Sequence, residues 1–350
     1  MNGLEKKLGV CLIGCGNVSR SHLDAYMGIL YANVVACCDI NEEAAKKTAS
    51  QYGIKKYYTD HKKALEDKDV DTVDICVSPQ FHAEIAIDAM EAGKHVQCEK
   101  PMSLSLKDAG EMIKVSKRNK VNFMIGQSMR YTPVFAEAKK QIDRGKIGRP
   151  VIIRQARRYW NIDDAWGTPE GKKKYSGLFR GFYIIDTMIH HFDWIRWCLG
   201  EDPRTVYTEA ETYPDESMPI FTQAHMTLDF KDVVGFIEMS RTTTRYPTYD
   251  KKIDVIGTKG RLTGFDLLNL GKKLGAHKEG PSPTPTPYTP LIETTPIPGE
   301  FDLEIADFLK SVIENKPVPI PPEDSRSALA MALAAKKSAE TGEIVKLPLE

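Results

Sequence analysis

The chain has 350 residues, too many for one ordinary core and suited to two domains of roughly 100–200 residues each. Hydrophobic residues make up 41% and charged residues 27%, with 48 Lys+Arg set against 48 Asp+Glu. This excludes a coiled coil or a disordered chain, and the even charge without long like-charge runs speaks against nucleic acid or an anionic membrane as partner.

In chain order, Lys6 and Lys7 precede an apolar run that glycines break and that has no cleavage signal, so a mature cytoplasmic protein is expected. From residue 8 to 127, short apolar runs at 8–13, 34–38, 73–77, 95–98 and 122–125 predict parallel strands covered on both faces. Helical stretches near 17–31, 41–52, 80–92 and 105–119 lie between them. Ser105 and Asp108 form a capping-box pattern, and Gly93 stands where the third helix must stop. This alternation predicts a doubly wound α/β domain over 1–127.

A second domain over 128–350 differs in pattern. A helix fits at 133–144, and polar–apolar alternation predicts strands near 151–160, 204–213, 220–230, 233–243 and 251–257. Helices are predicted at 181–199, 301–315 and 325–341, making an α+β domain with a large, mainly antiparallel open sheet. The Pro- and Thr-rich stretch 281–298 predicts an extended connection. Seven cysteines, an odd number without a C-x-x-C pair, predict buried reduced thiols.

Gly14, Cys15, Gly16, Asn17 and Val18 follow the first strand and open the first helix. The first glycine permits a tight turn, the second a close backbone approach, and the free N–H groups near Asn17 and Val18 attract a pyrophosphate. Ser19 replaces the third glycine of the fingerprint. Asp39 stands 23 residues after Gly16, near the offset of about 20 at which an acid binds the adenosine ribose. Its charge repels a 2′-phosphate and no arginine follows, which favours NAD over NADP. The competing reading makes Asp39 the N-cap of the next helix.

Ser78-Pro79-Gln80-Phe81-His82 and Gly93-Lys94-His95 through Glu99-Lys100-Pro101, with Asp186-Thr-Met-Ile-His190 and Asp193, resemble the glucose–fructose oxidoreductase/inositol dehydrogenase (Gfo/Idh/MocA) family. The resemblance also takes in His22, Arg130 with Pro133, and Gly200. Departures are Gln80 where asparagine is common, the second imidazole His191, and Phe182-Tyr183-Ile184 before the aspartate. The resemblance implies an NAD-dependent dehydrogenase of a sugar, sugar derivative or cyclitol, assembled as a homodimer or homotetramer. It implies Lys100 as the group binding the reacting hydroxyl, His190 as catalytic acid/base and Asp186 as its neighbour. It further implies Ser78, Pro79, His82, Glu99 and Lys100 on the cofactor, and Arg130, Tyr131, Asp186 and His190 on the substrate.

The chemistry agrees with these types. Hydride removal from a secondary alcohol needs a proton acceptor and a positive charge near the developing alkoxide. On one helix, Asp186, His190 and Asp193 at i, i+4 and i+7 share a face, and His191 points away and is given no catalytic role. Trp160, beside Tyr159, suits stacking on a sugar ring or ordinary core packing. Two other functions stay open: a dinucleotide-binding sensor without catalysis, and a metal-dependent hydrolase or lyase using Asp186, His190, His191 and Asp193. No metal site is expected, since no H-x-x-x-H spacing occurs.

Overall fold

The computed structural model describes residues 7–160, 179–213, 218–243, 250–267, 271–277 and 299–349. The chain divides into two compact units: Met1–Tyr131 with Pro298–Leu329, and Thr132–Ile297 with Ala330–Glu350.

The apolar runs of the first unit become a sheet. β1 (Leu8–Ile13) is buried at every position, as a strand covered on both faces must be. Then follow α1 (Asn17–Gly28), β2 (Ala32–Cys38), α2 (Glu42–Tyr52), β3 (Lys56–Tyr58), α3 (His61–Leu65) and β4 (Thr72–Ile75). A single 3₁₀ turn leads into α4 (His82–Glu91), β5 (His95–Cys98), α5 (Leu106–Asn119) and β6 (Phe123–Ile125). All pairings are parallel, in the order β3-β2-β1-β4-β5-β6. That is the Rossmann order, with its switch point between β1 and β4. The predicted boundaries hold: Ser105 Oγ accepts from Asp108 N at 3.1 Å, and Gly93 ends α4 at φ +75°.

The first unit is not the single segment expected. α9 (Glu300–Ile313) and the first turns of α10 (Pro322–Thr341) belong to it. Ile305, Phe308 and Leu309 of α9 share one core with Leu12, Leu23 and Tyr26. An amphipathic stripe shows that a helix packs, not which sheet it packs on, so a cut at 127 gives way to a two-segment unit.

The second unit holds α6 (Pro133–Asp143), β7 (Pro150–Trp160), α7 (Phe182–Asp186), α8 (Ile189–Leu199) and β8 (Thr205–Glu211). It continues with β9 (Gln223–Asp229), β10 (Val234–Thr243), β11 (Asp250–Gly257), β12 (Gly260–Leu267), β13 (Gly271–His277) and β14 (Val345–Lys346). These strands form an eight-stranded sheet, β13-β12-β11-β7-β10-β9-β8-β14. It is antiparallel except where β7 meets β10. Strands β12, β13 and β14 extend the five expected.

The predicted helix 181–199 is two helices. Met188 N donates to Tyr183 O at 3.1 Å, five residues back, so the ladder slips between α7 and α8. Arg157 Nη1, from β7, donates to Thr187 O at 3.3 Å and so takes up a carbonyl at the break. The Pro-rich segment 281–298 and the side chains of Tyr159 and Trp160 lie outside the described residues. Among the described residues, no helix is long and apolar enough to cross a membrane.

Candidate active site

The carboxyl edge of the first sheet gathers the predicted cofactor residues. Gly14 leaves β1 at φ +98°, and a Cβ there would sit 2.6 Å from Cys76 O, so no other residue fits. Gly16 is the N-cap of α1 and supplies no side-chain cap, and a Cβ on it would meet nothing within 4 Å. The first-turn N–H groups at Asn17 and Val18 therefore open onto space at the positive end of a helix, a cradle that fits a pyrophosphate. Ser19 is 1% exposed, and its hydroxyl donates back to Gly16 O at 2.6 Å, so the replaced third glycine leaves no unpaired group.

Asp39 closes the turn. Its Oδ2 accepts from Cys15 N at 2.8 Å and its Oδ1 from Asn41 N at 2.8 Å. The cap of α2 is Asn41, whose Oδ1 accepts from Glu43 N and Ala44 N at 3.0 and 3.2 Å. Asp39 is thus held across the glycine turn rather than spent on a helix end, with carboxylate lone pairs to spare.

Ser78 and Pro79 begin the loop after β4, with Ser78 and Gln80 exposed. His82 is fully buried: Nδ1 meets Pro101 O at 2.8 Å and Nε2 meets Val77 O at 3.0 Å. Burial outweighs these two carbonyls and holds its pKa below the usual histidine range. The His82 ring thus sits between the loop after β4 and the loop after β5, with a backbone carbonyl of each beside one of its nitrogens. Glu99 is buried and Lys100 half-buried after β5, and Lys100 N donates to Glu99 Oε2 at 3.2 Å. Burial alone would raise the Glu99 carboxyl, but the hydrogen bond and charge of His22 bring it below its ordinary value.

Arg130 is 5% exposed and pairs with Asp324 of α10 at 3.1 Å. Its guanidinium thus makes a buried tie to α10 within the first unit. Tyr131 packs against the same core, its hydroxyl pushed up by burial and then by Asp307.

In the second unit, Asp186 ends α7 and His190 lies in the first turn of α8, both half-buried, while Asp193 is buried. Thr187 Oγ1 donates to Asp186 Oδ2 at 3.4 Å. Because the helix is interrupted, the shared-face argument survives for His190 and Asp193 but not for Asp186. His191 is fully buried; its Nδ1 pairs with Gln155 Oε1, and Gln155 Nε2 donates to His191 O at 3.3 Å. Burial, then Arg157 and Lys251, hold its pKa well below the usual histidine range. It is a packed neutral ring. All seven cysteines are free thiols.

Comparison with known proteins agrees with this geometry. Residues 8–127 match the model of an oxidoreductase family with an NAD-binding Rossmann fold, and residues 135–263 match the GFO/IDH/MocA C-terminal domain. The chain belongs to the Gfo/Idh/MocA oxidoreductase family. This Gfo/Idh/MocA chain is 30% identical over 345 residues to the myo-inositol 2-dehydrogenase of Thermotoga maritima, covering 97% of this chain and 98% of that one. It is 28% identical over 264 residues to the scyllo-inositol 2-dehydrogenase (NAD(+)) of Bacillus subtilis, 74% of each. Its fold matches that of an oxidoreductase domain protein from Kribbella flavida with a TM-score of 0.85, at 23% identity over 98% of this chain and 100% of that one.

Two residues that the Gfo/Idh/MocA resemblance did not single out stand next to this edge. Asp74 is a fully buried acid on β4, and Glu304 a fully buried acid on α9. The signal for Asp74 was present, an acid inside the apolar run 73–77. Glu304 had none, since an acid in an amphipathic helix usually faces water.

Proposed function

We propose that this protein is a cytoplasmic NAD-dependent dehydrogenase acting on a secondary alcohol of a cyclitol or a related sugar. The observation that carries the reading is the uncapped Gly14–Gly16–Asn17 turn, with Asp39 fixed across it and Lys100 on the same carboxyl edge of one sheet. The inositol dehydrogenases among its relatives support the substrate class. When bound, the nicotinamide ring accepts or returns the hydride.

The chain's own residues do the rest. Asp39 takes the ribose hydroxyls and disfavours a 2′-phosphate, with Ile40 and Asn41 offering no cation beside it. The Lys100 ammonium stabilises the negative charge that develops on the substrate oxygen. His190 exchanges the hydroxyl proton, with Asp186 beside it as substrate contact. Tyr131 and Trp160 are assigned to the substrate wall. The face of the second sheet that presents Tyr207 and Phe236, 37% and 38% exposed, is assigned to a homodimer or homotetramer.

The test follows NADH formation with myo-inositol, scyllo-inositol and a panel of aldoses, with NAD and NADP in parallel. Turnover of an inositol with NAD is expected. Lys100→Met and His190→Ala are expected to keep NAD binding and lose about 10²–10⁴-fold in turnover. Full turnover in either variant overturns the assigned roles, and equal use of NADP overturns that of Asp39. Tight NAD binding with no turnover across the panel leaves the sensor reading instead.

A further inference from the structure

Beneath the strand ends that carry the cofactor edge, the first unit buries more acid than base. His22 of α1, Asp74 of β4 and Glu304 of α9 are each 0% exposed, and Glu99 is 7% exposed. His22 Nδ1 lies 2.8 Å from Asp74 Oδ2, and Nε2 lies 3.1 Å from Glu99 Oε1. The Phe301 ring covers the imidazole at 4.9 Å. Ionised carboxylate oxygens only accept, so a ring between two of them satisfies both by carrying a proton on each nitrogen. The second Glu99 oxygen accepts from Lys100 N at 3.2 Å, and the second Asp74 oxygen takes the Cys76 thiol at 3.7 Å. One connected path therefore runs from Asp74 through His22 and Glu99 to the backbone of Lys100.

We propose that His22 is a positioning residue for Lys100, acting through Glu99. The inference rests on the reading above, in which Lys100 serves the substrate hydroxyl. A buried carboxylate without a counter-charge protonates or moves, because its desolvation is not offset. Glu99 as a neutral acid would lose the charge-assisted bond to the Lys100 amide and free the turn on which that side chain is mounted. The imidazolium prevents this, leaving Asp74, His22 and Glu99 together with one net negative charge. Glu304 does not add a third carboxylate: neither of its oxygens has a hydrogen-bond partner among the described residues. Burial, then the charge of Glu99, hold its carboxyl well above the usual range, so it sits as the neutral acid.

The experiment compares full-length wild type with His22→Gln and Glu99→Gln in two ways. The first is substrate-free: brief acetic anhydride labelling with peptide mass mapping, reading Lys100 against Lys94 and Lys107. Both variants are expected to change the Lys100 rate by about threefold or more, with the reference lysines unmoved. The second is myo-inositol oxidation with NAD. His22→Gln is expected to lower kcat about 10²-fold, the usual cost of a displacement near 1 Å, with little change in KM for NAD. In a Lys100→Met background the same substitution is expected to cost nothing more, since its target is already gone.

An unchanged Lys100 labelling rate in both variants overturns the inference, and so does an equal further loss on top of Lys100→Met. Stoichiometric zinc in the purified protein, held by His22, Asp74 and Cys76, whose ligand atoms lie within 4.8 Å of one another, overturns it too. Should His22→Gln fail to fold, labelling of Glu99→Gln decides alone. A wild type inert toward the whole panel, but with the labelling change present, sinks the dehydrogenase reading and keeps the link from His22 to Lys100.

Discussion

His22 in the first unit and His191 in the second are buried to the same 0% exposure, and their surroundings drive them to opposite charge states. For His22, burial works against the charge, yet Asp74 and then Cys76 raise its pKa well above the usual histidine range. For His191, burial lowers the pKa and Arg157 and Lys251 lower it further. The partners explain the split. Carboxylates on both sides of His22 call for two N–H donors, whereas the Gln155 amide oxygen beside His191 calls for one. Depth alone therefore does not set the charge of these two imidazoles: carboxylate charge outweighs it at His22, and nearby cations add to it at His191. The first unit uses the charge to hold Glu99 under Lys100, and the second uses a neutral ring as packing beside half-buried His190.

The harshest way to break this contrast is to remove the counter-charge from His22. Asp74→Leu leaves a buried imidazolium with one carboxylate in place of two, and is expected to destabilise the protein by about 3–5 kcal/mol. The raised folded pKa of His22 contributes stability that is fully present below the unfolded value of about 6.5 and is lost as pH climbs through the folded value. Urea denaturation should thus show the gap between wild type and Asp74→Leu largest at about pH 6 and narrower in alkaline solution. An equal gap at both ends would mean that His22 is neutral in the folded chain.

A gentler perturbation sharpens the same point from the acid side. Glu304 has a raised folded pKa, so it favours the folded state only below its unfolded value of about 4.3. Above that, the unfolded chain gains by ionising, and stability drops by about 1.4 kcal/mol per pH unit until the folded pKa is reached. Glu304→Gln keeps the shape without the titration. Its melting temperature should exceed that of wild type by a few degrees at about pH 7.5, and match it at about pH 4. A lower melting temperature at neutral pH would show that the carboxylate is ionised and needed.

The legibility of the two units follows the same division between local and tertiary causes. The strands of the first sheet were readable because each is a nearly unbroken apolar run, and the glycine turn because Gly14 and Gly16 have local steric reasons. Strand β3 went unread: Lys56, Tyr57 and Tyr58 are half-buried or exposed on a three-residue strand, too short to show a period. The break between α7 and α8 went unread because the partner of its freed carbonyl is Arg157, reaching in from β7, 30 residues away in sequence. Of the buried cluster, His22 and Glu99 were noted, and only by resemblance, while Asp74 and Glu304 were not. The meaning of His22 depends on Asp74 and Glu99, which lie 52 and 77 residues further along the chain.

The smallest effect is expected at His191, and it has the reverse sign in pH. A depressed folded pKa contributes stability that is present above about pH 6.5 and is lost as pH falls toward the folded value, because the unfolded ring takes a proton that the folded one refuses. The loss runs at up to about 1.4 kcal/mol per pH unit. His191→Gln keeps a donor for Gln155 and removes the titration, so it should stay within about 1 kcal/mol of wild type at pH 8 and overtake it near pH 5. His82 and His95, lowered chiefly by burial in the first unit, add acid sensitivity to both proteins and cancel in the difference. Parallel stability curves for wild type and variant would show that the folded chain accepts a proton on His191. The cations around it would then be too well solvated to matter, and the opposition between the two buried rings would fail at its second half.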